Sequence, residues 1–158
     1  MFSPDFKEFL QLLNSHRVRY LIVGGYAVAY HGHPRYTKDL DIWLEVSKAN
    51  AKRMVAVLRD FGFESLGLTV DAFLEPDHVI QLGNPPLRID LLIGLRTLSF
   101  RKCFAAREVC VIDGISVSFI DLGGLLQSNR DAGRAQDLAD VERLSLRKNL
   151  TTGEQAAD

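Results

Sequence analysis

The chain reads Leu21-Ile-Val-Gly-Gly25 and, after thirteen further residues, Asp39-Leu-Asp-Ile-Trp-Leu-Glu45. In the second stretch, every other residue is apolar. This alternation predicts a strand with Asp39 and Asp41 on one face and apolar residues on the other. Strand rise separates the two carboxylates by about 6.6 Å. At an effective dielectric of about 20 they repel by about 2.5 kcal/mol. A Mg²⁺ ion between the two carboxylates would turn this repulsion into net attraction, because Mg²⁺ is held by one or two carboxylates together with substrate phosphates. Two solvated acids are the alternative.

The glycine pair Gly24-Gly25 follows a short apolar strand, predicted over 20–23, and precedes a short helix, predicted over 26–30. Glycine lets the backbone approach a phosphate closely, and a helix N-terminus offers free N–H groups and positive potential. The pair therefore indicates a phosphate-binding turn. A plain tight turn between strand and helix is the alternative.

A third acid, Asp90, lies inside the apolar stretch 87–93, which predicts a buried strand. An acid in such a strand is costly unless it is paired or bound to a metal. A salt bridge to Arg88, two residues earlier, is the structural alternative to a metal site.

The remaining patterns predict an α/β (α+β) domain with a mixed, mostly antiparallel sheet and helices packed on it. Ser3-Pro4 and Ser47 are typical of helix starts, and Asp113-Gly114 is typical of a tight hairpin turn. The further predicted helices cover 4–15, 47–61 and 69–74, one begins at Asp121, and one includes Leu138, Val141 and Leu144. The further predicted strands form two hairpins, 79–82 with 87–93 and 109–112 with 115–120.

Composition disfavours several classes of protein. The 158 residues carry 19 basic and 20 acidic side chains, a net charge of −1, so broad electrostatic binding to duplex DNA is disfavoured. Cys103 and Cys110 are the only cysteines, too few for a disulfide scaffold or a four-cysteine zinc site. No apolar run reaches the ~20 residues of a membrane span, and the N-terminus lacks a signal-peptide pattern. We expect a cytoplasmic protein with one domain over 1–150 and a frayed polar tail over 151–158.

Weaker candidates surround these motifs. His31 and His33 precede the acids, so two histidines with two aspartates could bind zinc, although a polar loop explains them equally. Trp43 and Tyr36 could stack on a base or, for Trp43, simply pack in the core. Arg134 could form surface pairs with Asp137 and Asp140 on a helix.

Together the main motifs resemble the nucleotidyltransferase fold of the DNA polymerase β superfamily. That family joins an apolar strand, a Gly-Gly or Gly-Ser turn, a short helix, an Asp-x-Asp strand and a third Asp in a later strand. Here these parts are residues 21–27, Asp39 with Asp41, and Asp90. Segments 35–38 and 133–140 look like those of small bacterial members related to AbiEii-type and other toxin–antitoxin nucleotidyltransferases. The resemblance spans about residues 3–147.

The resemblance implies an enzyme that uses two Mg²⁺ ions, or Mn²⁺ in their place. Asp39, Asp41 and Asp90 would be its catalytic and metal-binding residues. The first two would hold the ions that grip the triphosphate, and Asp90 would bind the second ion and accept a proton from the attacking hydroxyl. Nucleotide binding is implied for six residues, Gly24, Gly25, Arg35, Thr37, Arg130 and Arg134.

One position departs from the family pattern. Relatives commonly carry a lysine four residues before the Gly133-Arg134 pair, where this chain has Asn129 followed by Arg130. A missing cation would weaken triphosphate binding unless Arg130 replaces it.

Two functions of different class follow. The first is transfer of a nucleoside monophosphate from an NTP to a hydroxyl of an RNA end, a protein side chain or a small molecule, with release of pyrophosphate. The second is a nucleotidyltransferase-like binding module of a toxin–antitoxin pair, with weak or no catalysis. The three acids favour the first, whereas Asn129 and the small size favour the second. A DNA-binding regulator is disfavoured by the charge balance.

Overall fold

The computed structural model describes residues 2–33, 37–83, 87–95, 97–132 and 138–146. The strands in these ranges are β1 (Tyr20–Val23), β2 (Asp39–Leu44), β3 (His78–Leu82), β4 (Arg88–Ile93), β5 (Glu108–Ile112) and β6 (Ile115–Phe119). The α-helices are α1 (Pro4–Ser15), α2 (Gly24–Tyr30), α3 (Lys48–Phe61), α4 (Phe100–Ala105) and α5 (Leu122–Ala132). Glu64–Leu66 and Val70–Phe73 are 3₁₀ helices, and residues 138–146 are helical. Within these ranges, no helix has both the length and the apolar character needed to cross a bilayer.

The six strands form one sheet in the order β3-β4-β2-β1-β6-β5. Three neighbouring pairs are antiparallel, namely β1 with β2, β3 with β4, and β5 with β6. Two pairs, β2 with β4 and β1 with β6, are parallel. The predicted mixed, mostly antiparallel sheet is therefore confirmed, and both predicted hairpins are present.

Side-chain caps start the helices where the sequence predicts. The Phe6 N–H donates to Ser3 Oγ at 3.2 Å, and the Asn50 N–H donates to Ser47 Oγ at 3.1 Å. Asp121 caps α5 in the same way, because its Oδ1 accepts from the Gly124 N–H at 3.1 Å. Each cap satisfies one of the backbone donors that a helix start leaves without a partner.

Several element boundaries differ from the sequence prediction by one or two residues. Helix α2 begins at Gly24 rather than at residue 26, so the glycine pair forms its first turn. The predicted helix over 69–74 is a 3₁₀ helix over Val70–Phe73, which is common for such short segments. Strand β6 ends at Phe119, one residue early.

Strand β2 is covered on both faces at its C-terminal end. Leu40, Ile42 and Leu44 are at most 1% exposed on one face, as the alternation predicts. On the acid-bearing face, Trp43 is also only 1% exposed, because Phe100 of α4 packs edge-on against it with ring centroids 5.1 Å apart. At the start of the strand, the Asp39 side chain is 39% exposed. The acid-bearing face is therefore accessible where β2 begins and closed where it ends.

Candidate functional site

Four charged side chains meet on neighbouring strands β2 and β4. The parallel register places Asp39 beside Arg88, and Asp41 beside Asp90. Neighbouring strands lie about 4.8 Å apart, and residues two apart on a strand share a face. We call Asp39, Asp41, Arg88 and Asp90 the charged quartet. Its formal charges leave a negative site on one face of the sheet.

Arg88 joins two of the three acids. Its Nε donates to Asp90 Oδ1 at 2.8 Å, and its Nη2 donates to Asp90 Oδ2 at 3.2 Å. The same Nη2 donates to Asp39 Oδ2 at 3.0 Å. Since one nitrogen contacts both carboxylates, Asp39 and Asp90 lie at one site. The salt bridge that the sequence left as the alternative for Asp90 is present, and it extends to Asp39.

Hydrogen bonding and nearby negative charge hold Arg88 in its ionised form. Asp90 is only 8% exposed, and its fork-shaped contact with the guanidinium is the strong, charge-assisted kind. The hydrogen bond from Arg88 to Asp90 is the largest cause that raises the pKa of Arg88 above its ordinary value, followed by the charge of Asp90. Asp39 and Asp41 raise this pKa further. Arg88 therefore supplies a permanent positive charge among the three acids.

Asp41 lies against the start of α2. A Cβ atom added to Gly24 would overlap Asp41 Oδ2 and would lie 2.9 Å from Asp41 Cγ. Gly24 also has a φ of +65°, a left-handed conformation that side chains disfavour. Glycine is therefore required at this position for two reasons, its backbone conformation and the nearby carboxylate.

Gly24 and Gly25 form the first turn of α2, beside the acid-bearing strand. Val23, the residue before the helix, provides no side-chain cap. It is paired in register with Asp41, so the N-terminus of α2 faces the acid-bearing strand. Free N–H groups at a helix start attract anions. The assignment of these glycines to nucleotide binding remains a prediction.

Two of the other four predicted nucleotide-binding residues, Thr37 and Arg130, lie in the described part of the chain. Thr37 lies just before β2, and its Oγ1 donates to the Asp39 carbonyl oxygen at 3.4 Å. Arg130 is exposed in the last turn of α5. Arg35 and Arg134 lie outside the described residues, as do Tyr36 and Asp137.

Two polar side chains of the C-terminal segments are buried. Asn129, which stands at the position of the family's lysine, is 5% exposed, and its Nδ2 has no acceptor among the described residues. Asp140 is fully buried, with its Oδ1 3.9 Å from His33 Nε2. Asp140 is therefore not in a surface pair, because the helical segment 138–146 turns it inward.

The two candidate zinc-binding histidines contact different groups. His31 Nε2 lies 2.7 Å from the Ile120 carbonyl oxygen, and its Nδ1 lies 3.4 Å from Glu108. His33 lies near Asp140 instead. In the part of the chain that the structure describes, no three His, Cys, Asp or Glu side chains are arranged to hold a metal ion.

A groove of about 330 Å³ lies at the other end of β2 and β4. Trp43, Leu95, Phe100 and Arg101 are among its lining residues, and no member of the charged quartet lines it. The indole Nε1 of Trp43 is buried without an acceptor among the described residues. Trp43 therefore packs in the core, as one of the two sequence-based interpretations has it.

The sequence did not reveal that Arg88 contacts two of the three acids. Its place two residues before Asp90 indicated a contact with that acid, but its contact with Asp39 depends on the pairing of β2 with β4. A parallel register between strands 49 residues apart leaves no local signal in a sequence. A basic residue beside the third acid, on the same strand face, is the one signal that pointed to it.

Comparison with solved structures identifies the kind of fold. The chain matches a presumed nucleotidyltransferase from Thermotoga maritima with a TM-score of 0.56, at 16% identity over 96% of both chains. It also matches an antigenic nucleotidyltransferase-like protein from Paracoccidioides brasiliensis with a TM-score of 0.55, at 16% identity over 89% of this chain and 74% of that one. No protein-family model and no curated protein matches the chain. At this identity, the matches show a shared nucleotidyltransferase-like fold.

Proposed function

We propose that this chain transfers a nucleoside monophosphate from an NTP to an acceptor hydroxyl. The observation that carries the proposal is the meeting of Asp39, Asp41 and Asp90 on one sheet face, beside a helix that starts with two glycines. The nucleotidyltransferase-like fold supports it. The acceptor class, whether an RNA end, a protein side chain or a small molecule, is left open by this observation.

The donor atoms of the quartet suit a hard divalent cation, since Mg²⁺ prefers carboxylate oxygens. The arrangement is less suitable at Asp90, because the guanidinium of Arg88 already bonds both of its oxygens. In the proposed enzyme, Asp39 and Asp41 would hold Mg²⁺ with the triphosphate. Bound divalent cations would neutralise the charge that develops on the phosphate oxygens.

The chain's own groups would divide the remaining work. The N–H groups at Gly24 and Gly25 would orient the phosphates, as a helix start can. The acceptor hydroxyl would form a bond to the α-phosphorus while the bond to the pyrophosphate oxygen breaks. Asp90 would take the proton that the hydroxyl loses, a general-base role. Positioning the two reactants would account for most of the rate.

The test is transfer of label from an α-labelled NTP with Mg²⁺ to total RNA, lysate proteins or small molecules. Asp90→Asn should abolish transfer while largely sparing NTP binding, because the amide keeps the shape but loses the charge and basicity. Asp113→Asn is a matched control. Asp113 is a partly exposed acid in the β5–β6 turn, and it pairs with Lys7 of α1. Binding of NTP without label in any acceptor would reject the enzyme.

A binding module of a toxin–antitoxin pair is the second candidate, and Arg88 is the observation that favours it. A guanidinium that pairs with both Asp39 and Asp90 offsets one of their two negative charges, which removes part of the need for a metal. If label transfer fails, this candidate requires a protein partner that co-purifies with the chain, most directly the product of the adjoining gene. A chain that neither transfers label nor retains a partner would reject both candidates.

A further inference from the structure

We infer that Arg88 occupies the place of a second metal ion at Asp90, so that the folded chain binds one divalent ion with a nucleotide. A second ion enters only when the guanidinium leaves Asp90. This inference rests on the proposed function, because it concerns the metal ions of the same site.

The contacts of Arg88 are distributed unequally over the acids. They use both oxygens of Asp90, at 2.8 and 3.2 Å, but only one oxygen of Asp39, at 3.0 Å. Asp41 instead lies with its Oδ2 against Gly24. An ion held by Asp39 and Asp41 therefore leaves the Arg88–Asp90 contact intact, whereas an ion on Asp90 must break it.

A divalent ion and Arg88 compete for the oxygens of Asp90. Mg²⁺ requires oxygen ligands at about 2.0–2.1 Å in near-octahedral geometry, and each Asp90 oxygen already accepts a hydrogen bond from the guanidinium. The guanidinium would also repel an ion on Asp90, because like charges a few ångströms apart are incompletely screened near a protein surface. Arginine does not lose its proton in proteins, so movement of the side chain is what removes this competition.

The quartet has three carboxylates and one guanidinium, a formal charge of −2, and a bound triphosphate adds further negative charge. Charge alone therefore does not limit the number of ions, and the contact of Arg88 with Asp90 is what limits it. The Arg88 side chain is 27% exposed, so solvent is available on one side to receive it.

The test counts Mn²⁺ ions and nucleotides bound per chain by equilibrium dialysis with a non-hydrolysable α,β-methylene ATP. We expect one ion per chain for the natural protein and two for Arg88→Gln. Arg88→Gln combined with Asp90→Asn should return the count to one, because the second ion then lacks its carboxylate. Arg59→Gln is the matched control and should keep one ion, since Arg59 pairs with Asp60 on α3, away from the quartet.

Arg88→Lys keeps the charge and guards against a variant that fails to fold. It lacks the fork that binds both oxygens of Asp90, so the second ion should enter at a Mn²⁺ concentration at least about tenfold lower than in the natural protein. Two ions in the natural protein, or one ion in folded Arg88→Gln, would overturn the inference while leaving the proposed function standing. If Arg88→Gln binds ions and nucleotide but the natural protein binds neither, Arg88 closes the whole site. That result would contradict the expected count of one ion in the natural protein. No binding of nucleotide or ion by any form would remove the proposed function as well.

Discussion

The carboxylate of Asp41 lies against the Cα of Gly24, at the point where β1 ends and α2 begins. This contact joins the acid-bearing strand to the glycine turn, the two features that the sequence presents thirteen residues apart. A substitution at Gly24 therefore has two separate costs, the left-handed backbone conformation and the overlap with Asp41, and these costs can be measured separately.

Gly24→Ala should destabilise the protein more than Gly67→Ala. Both glycines have left-handed φ values, +65° and +67°, but a Cβ at Gly67 has no neighbour within 4 Å. The conformational cost of about 1–2 kcal/mol is thus common to both, and the overlap with Asp41 should add about 1–3 kcal/mol. Chemical unfolding of the two variants measures the difference, and equal losses would show that Asp41 moves aside freely.

Mg²⁺ with an NTP should stabilise the natural chain. A ligand at about 100 times its Kd adds about 2.7 kcal/mol, which for a chain of this size is a rise in Tm of roughly 5–10 °C. Asp39→Asn with Asp41→Asn should lose this rise, whereas Asp113→Asn should keep it. If none of the four NTPs shifts the Tm with Mg²⁺ or Mn²⁺, the chain has no intact nucleotide site.

Stability should fall at alkaline pH because of Tyr20. Burial raises the pKa of Tyr20 from 10.0 to about 12, so the folded protein favours the neutral phenol. The resulting stabilisation is complete below the unfolded pKa of about 10 and is lost as the pH rises through 12, with about 1.4 kcal/mol lost at about pH 11. Tyr20→Phe should flatten this dependence in urea unfolding. Parallel curves for the two proteins would assign the alkaline loss to other groups.

Nucleotide should leave the fluorescence of Trp43 unchanged. This is the only tryptophan, and it is 1% exposed with Phe100 packed against it. We expect emission typical of a buried indole and little quenching by acrylamide, with or without NTP. Quenching by NTP would instead favour the interpretation in which Trp43 stacks on the base.

Local patterns in the sequence predicted most of the fold. The capping residues Ser3, Ser47 and Asp121 correctly predicted three helix starts. The alternation of apolar residues along β2 predicted which of its faces carries the acids. These features depend on neighbours within a few residues, where propensity and periodicity operate. Alternation alone could not choose between packing and base stacking for Trp43, because its burial depends on Phe100, which lies in a distant helix.

The site was less predictable than the fold. Asp39 and Asp41 were predicted to share a strand face, with Asp90 in a later strand, and the three lie on neighbouring strands. Their role at a nucleotide site stays a prediction. The partner of Asp39 was missed because it is set by the register between β2 and β4. The burial of Asp140 was missed because an i,i+3 charge pattern does not show which way a helix turns.

The pairing of β2 with β4 has a consequence for how the protein acquires its quartet. The β3–β4 hairpin is local, whereas Asp39 and Arg88 are 49 residues apart in the chain, so loop closure makes their contact entropically costly to form early. We expect the hairpin to form first and to dock on β2 late. A slip of one residue at docking would turn Asp90 to the opposite face, and the quartet would then exist only in molecules that have folded with the correct register.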